Sequence, residues 1–306
     1  LARYGYPGLG EPRYDLEAAR ESAGKAKTLE ERWEEKLPEK AGIARPQKQD
    51  SFGPGSEMDP GGFRYERVLS TGKRGLQVLP LDAAALAHSR VADLRIAGKD
   101  GRQVPYLVEK PDEPLSIDLR PPERTAAPRS AAGDPGRGAA SRSYYRLRLP
   151  CANLPAARLV LSTSARVFRR DLSVRIEKDA DGDSREPWTR SVASAYWSHS
   201  DPDTPAPALT LRLGSLDTAD LMLVVEEGDN SPIPIESARL LLPAVRLRFF
   251  GGGANGLKLY YGRDDLEAPN YDLAILGPHL VGAKAEEARL GPEMTRAPSG
   301  PGQATP

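Results

Sequence analysis

Apolar and polar residues alternate through most of the second half of the chain. The segments YYRLRL (144–149), DLSVRIE (171–177) and ALTLRL (208–213) place every second residue on one face, the period of a half-buried strand. Further strands are predicted over 157–161, 188–196, 220–226, 237–242, 245–250 and 257–261. Strands this short and this closely spaced argue for an antiparallel sandwich or jelly roll. Alternation implies one dry and one wet face, unlike the continuous apolar runs of a parallel sheet.

Upstream, FRYERVL (63–69) reads as a strand with Phe63, Tyr65 and Arg67 on one face and Arg64, Glu66 and Val68 on the other. A short strand follows at 75–80. Asp82 is suited to cap a helical turn reaching His88, because its carboxylate accepts from the amides that follow. Residues 91–97 and 103–110 flank the turn signal Gly-Lys-Asp-Gly and read as a hairpin. Only residues 15–36 (DLEAARESAGKAKTLEERWEEK) make a good helix, with strong helix formers and an apolar stripe of Leu16, Ala19, Ala26, Leu29 and Trp33.

These elements give an all-β chain of antiparallel β-sandwich or jelly-roll units, with one N-terminal helix and disordered linkers. The expected boundaries are 1–40 (remnant of an upstream repeat plus the helix), 41–62 (linker) and 63–120 (a small β-unit). Then come 121–142 (linker), 143–275 (a jelly-roll-like sandwich) and 276–306 (a disordered tail). Gly and Pro, 29 each among 306 residues, account for the linkers.

Charge adds little. Lys plus Arg equals Asp plus Glu at 43 each, so no net field steers the chain to nucleic acid or an acidic membrane. The chain contains no apolar run long enough to span a bilayer as a helix. Leu1 in place of Met, with no charged-then-apolar leader after it, reads as a start cut from a longer chain.

Candidate chemistry is sparse. Cys151 is the lone cysteine, which excludes an internal disulfide and a thiolate metal cluster. Asp179, Asp181, Gly182 and Asp183 echo a calcium loop, but Arg190 occupies the position where a bidentate Glu is required. The three histidines lie in unrelated segments without metal-ligand spacing. The glycine-rich stretch 251–256 lacks the Lys-Ser/Thr and helix of a phosphate loop, and no Gly-x-Ser-x-Gly elbow occurs. The expectation is therefore a chain that is not an enzyme, with neither cofactor nor metal.

Recognition remains. Trp188, Tyr196 and Trp197 bracket one strand and its exit, close to His199, Asp201 and Asp203. Aromatic faces stack on sugar rings and carboxylates accept hydroxyl hydrogen bonds, which makes this segment a candidate glycan platform. Alternation puts Tyr196 and Trp197 on opposite faces, so one of the two belongs to the core. Asp229 and Asn230, in a loop rich in turn formers, complete the candidate ligand-binding set, with a local turn role as the alternative.

Four stretches carry a resemblance: VLPLDAAALAHSRVADLRIAGKDGRQVPYLVEK (78–110), LVVEEGDNSPIPIESARLLLP (223–243), LKLYYG (257–262) and APNYDLAIL (268–276). In this order they resemble the uncharacterised bacterial family known as domain of unknown function 3999, over residues 63–292. The resemblance implies a cell-envelope setting, periplasmic or extracellular, and carries no established activity. The second half also resembles galactose-binding-like jelly rolls, through 172–176, Trp188 and 221–225. In addition, Tyr4-Gly5, Leu9, Pro12 and Tyr14-Asp15-Leu16 recur as Tyr261-Gly262, Leu266, Pro269 and Tyr271-Asp272-Leu273. This repeat predicts a tandem array in which residues 257–261 close the second sandwich.

Two functions follow as expectations. One is a structural or protein-interaction module of the envelope; the alternative is a carbohydrate-binding module. The expected partner is an envelope protein or a glycan, with no nucleic acid and no membrane span in this chain.

Overall fold

The computed structural model describes residues 53–127, 141–178, 188–251 and 256–296, with side chains left out at 178 and 188. All belong to the second of the chain's two units, Gln49–Pro306. The predicted helix over 15–36, the N-terminal copy of the repeat and the Asp-rich loop 179–183 lie outside the described residues, as does most of the glycine-rich stretch 251–256.

The fold is all-β and almost wholly antiparallel. In chain order the strands are β1 (Tyr65–Ser70), β2 (Gly75–Pro80), β3 (Arg95–Ala97), β4 (Tyr106–Glu109), β5 (Leu115–Leu119) and β6 (Glu123–Thr125). Then come β7 (Ser141–Arg148), β8 (Ala157–Ser162), β9 (Phe168–Lys178), β10 (Trp188–His199), β11 (Leu209–Leu213) and β12 (Asp220–Gly228). The last are β13 (Ser237–Leu242), β14 (Arg246–Gly251), β15 (Lys258–Tyr261), β16 (Glu286–Glu287), β17 (Arg289–Leu290) and β18 (Met294–Thr295). A single helical turn, α1 (Ala83–His88), follows β2. Asp82 caps it by accepting from the Ala85 amide at 3.0 Å, as the sequence predicts.

Four sheets pair into two layered bodies. One body stacks the order β17–β1–β15–β3 on β16–β2–β14–β4, and the other joins β10–β9–β12–β7–β6 with β11–β8–β13–β5. The second body is therefore inserted between β4 and β14 of the first. From β7 to β13 the chain alternates between the two sheets of the second body, apart from the β9–β10 hairpin, which is the connectivity of a jelly roll.

Register aligns the leucines. Leu211, Leu159, Leu240 and Ile117 form one continuous row across β11, β8, β13 and β5. Facing them, Val174, Leu223 and Tyr145 form a row across β9, β12 and β7. Each fully buried leucine in such a row contributes about 1.5–3 kcal/mol. One apolar core runs through both bodies, from Leu79 and Tyr261 to Leu159 and Val174.

The structure departs from the sequence expectations in four places. Residues 257–261 do not close the second sandwich: β15 pairs with β1 and β3, and β14 with β2 and β4. A strand's periodicity fixes which face it buries but not which partner it takes, so the long insertion hides this pairing. The expected hairpin 91–110 keeps its turn, with Gly98 N donating to Arg102 O at 2.9 Å, yet β3 and β4 diverge into different sheets. Residues 277–296, expected as tail, are held against the first body. Ala288 is buried, and the amides of Ala288, Gly291 and Arg296 bond Val78, Val68 and Arg64 at 2.8 Å each. Likewise residues 53–62, expected as linker, are held by Gly55 N to Gln103 O (2.7 Å) and by Met58 packing on Phe63 and Tyr260.

β1 also departs from its predicted faces. Glu66 and Arg67 are buried while Val68 is 44% exposed. Each buried charge is matched: Glu66 meets Lys258 and Arg296, and Arg67 meets Asp82 and the Gly291 carbonyl.

Candidate functional site on the outer face of the β10–β9–β12 sheet

The second body presents one outward face built by strict alternation. On β9, Leu172, Val174 and Ile176 point into the core, which turns Asp171, Ser173 and Arg175 outward. On β10, Trp197 turns inward and Tyr196 outward, the latter 50% exposed. On β12 the run LMLVV buries both faces: Leu221, Leu223 and Val225 join the core, whereas Met222 and Val224 are buried outside it.

Register converts these residues into rows across the face. Tyr196 pairs with Asp171, and Asp171 with Glu226, whose next partner is Arg142. The adjacent row runs Ser194, Ser173, Val224 and Tyr144, and the next brings Arg175 and Arg146 against Met222. A depression of about 340 Å³ lies here, lined by Asp171, Ser173, Arg175, Ser194, Tyr196 and Glu226. Glu226 is bridged by Arg142 at 3.2 Å, and Arg175 Nε donates to Ser173 Oγ at 3.2 Å. The Arg169 guanidinium lies 5.3 Å from the Tyr196 ring centroid. Among the described residues the Asp171 carboxylate has no hydrogen-bond or ion-pair partner.

The structure treats the sequence candidates unequally. Tyr196 lies on the face. Trp197 does not: it is 3% exposed, its indole N–H donates to Pro207 O at 3.0 Å, and its ring meets Phe168 edge-on at 5.2 Å. Core packing thus claims Trp197, and no ligand can stack on it. Trp188 opens β10 opposite Lys178, and its side chain lies outside the described residues.

Asp201 is exposed beyond the strand end, where its carboxylate accepts from Asp203 N and Thr204 Oγ1 at 2.9 Å each. These bonds hold its pKa below the usual carboxylate value. Asp229 and Asn230 form the turn after β12, with Asn230 N and Nδ2 both donating to Glu227 O at 3.2 and 3.1 Å. That turn requires Gly228, at φ +60°. Asp201, Asp229 and Asn230 are thus engaged in local turns away from the depression.

Asp171, Ser173, Arg175, Ser194 and Glu226 were not singled out by sequence. The signal was present in DLSVRIE, whose outward set is acid, hydroxyl and base, but alternation alone does not reveal a solvated face as a ligand face.

Elsewhere, Cys151 is half-buried. Burial, and then the charges of Asp82 and Glu293, push its thiol up to about 11, which keeps it protonated and a poor nucleophile at neutral pH. Among the described residues no group of three or more His, Cys, Asp or Glu is placed to hold a metal ion. None of the described helices is long and apolar enough to cross a membrane.

No family model matches the chain, and no curated protein matches it. Among solved structures it is similar to the CBM22-1–GH10 modules of a Clostridium thermocellum endo-1,4-β-D-xylanase complexed with xylohexaose. The identity is 8% over 60% of this chain and 28% of that one, with a TM-score of 0.19.

Proposed function

We propose that this chain is a non-catalytic binding module of the bacterial cell envelope that holds a glycan on the outer face of the β10–β9–β12 sheet. The observation that carries the reading is the juxtaposition of Tyr196, half-exposed, with Asp171, whose carboxylate has no partner among the described residues and lies opposite Glu226. Like charges directly across a pair of strands are destabilising, so a face that retains them keeps acceptors at a cost to the fold. A sugar uses both features: its C–H face packs on the phenol ring and its hydroxyls donate to the carboxylates. Ser173, Ser194 and Arg175 supply donors for ring and hydroxyl oxygens. The envelope setting rests on the resemblance of residues 63–292 to domain of unknown function 3999.

A glycan array probed with the full chain and with Tyr196→Ala tests this. Hits that vanish in the variant support the reading, and an array without hits overturns it. A second reading, a structural or protein-interaction module, is favoured by β10, twelve residues long at the edge of its sheet. Free edge strands are templates for pairing with another chain. Under that reading the array is silent and crosslinking recovers an envelope protein.

A further inference from the structure

A separate pocket of about 630 Å³ opens on the first body, lined among others by Ser56, Arg95, Gln103, Asn270 and Tyr271. Its volume is that of a small-molecule site. Arg95, on β3, is only 8% exposed. Its Nη1 donates to the Ala92 and Leu94 carbonyls at 2.8 and 2.7 Å, and its Nη2 to the Glu267 carbonyl at 2.7 Å. The Tyr106 hydroxyl flanks the guanidinium and itself donates to Leu94 O at 2.6 Å. All these partners are neutral.

Among the described residues no carboxylate lies within ion-pairing distance of Arg95. Asp93, two residues away and fully buried, is committed to the amides of Arg90, Gly262 and Arg263 at 3.0, 2.7 and 2.9 Å. Gly262, at φ +82°, makes that grip possible, since a Cβ there would approach Tyr65 to 2.6 Å. A buried cation without an anion in contact is costly, and a ligand anion relieves that cost.

The rest of the lining is arranged to donate. Tyr271 OH donates to Gln103 Oε1 at 2.8 Å, and Gln103 Nε2 donates to Ser56 Oγ at 2.9 Å. This chain fixes the Gln103 amide and leaves the Ser56 proton for another acceptor. Asn270 is exposed and has no partner among the described residues. Asp272 is the acid on the lining; it is exposed and marks the side of the pocket that an anion avoids.

We infer that this pocket binds a small organic carboxylate, held by Arg95 and oriented by Ser56 and Asn270. The test is calorimetric titration of the full chain with succinate and citrate at low ionic strength, with inorganic phosphate alongside. Saturable binding of a carboxylate is expected, weakened about tenfold or more in Asn270→Asp, the size of one charge-assisted contact reversed. Ser56→Ala should weaken it as well, while Tyr196→Ala, on the other body, leaves it unchanged. Replacing Arg95 removes three bonds to backbone and risks unfolding, so the two rim variants carry the test. Heat only from phosphate, no saturable heat, or affinity unmoved in both rim variants would overturn the assignment.

Discussion

Tyr196 on β10 and Asp171 on β9 are direct partners across an antiparallel pair, and both side chains leave the core on the same outer face. Asp171 is partnered in turn by Glu226 on β12, which places two carboxylates side by side with Arg142 bridging only the second. The face therefore combines an exposed ring with an acid that has no ion-pair partner among the described residues.

The first prediction follows from that acid. Asp171→Asn relieves a like-charge cross-strand pair and should raise stability by roughly 0.2–1 kcal/mol. The same change should weaken glycan binding, since a carboxylate acceptor is lost. Thermal melts and titration of one variant check both. A variant that loses stability shows that Asp171 serves the fold.

The second concerns the interior of the same sheet. Arg170 and Glu227 form a buried pair at 2.6 Å, with side chains 6% and 0% exposed. The Glu227 Oε1 atom is buried with no hydrogen-bond partner among the described residues. Arg170→Met should cost about 3–5 kcal/mol because it strands the Glu227 charge. Adding Glu227→Leu should recover most of the loss. Chemical denaturation of the two variants measures the coupling, and simple additivity would contradict this account.

The third is a pH dependence. Burial alone opposes ionisation of Glu66, but Lys258 Nζ at 2.9 Å and the Arg296 guanidinium on its other oxygen outweigh burial and hold its pKa below the ordinary value. A carboxyl depressed in the folded state contributes stability above its unfolded pKa, and that stability is lost as pH falls through the folded value. The melting temperature should therefore drop below about pH 4. Glu66→Gln should cost on the order of 1–3 kcal/mol at pH 7 and flatten the acid limb. An unchanged acid limb in the variant would assign the loss to other carboxyls.

Much of the fold was legible because period-two patterning is strong. The predicted strand 237–242 coincides with β13, and 171–177 lies within β9. What alternation does not encode is the partner. β1 and β15 pair Glu66 with Tyr260 across the whole inserted body, and only the folded core brings them together. The site shows the same division. Sequence requires Tyr196 and Trp197 to face opposite ways, but Phe168 and the Pro207 carbonyl decide that Trp197 is the buried one. Met222 and Val224 look like core in the run LMLVV. Their burial on the outer face depends on β9 and β7, which flank β12 on either side.

Glycan binding on the β10–β9–β12 face is measured by calorimetric titration of the full chain and its Tyr196→Ala variant with whichever oligosaccharide a glycan array selects. Tyr196→Ala removes a half-exposed ring and should leave stability within about 0.5 kcal/mol of the parent. Saturable binding by the parent is expected, with a loss of about tenfold or more in the variant and both folded alike. Equal affinity in the two proteins would contradict it and move any sugar site away from the β10–β9–β12 face.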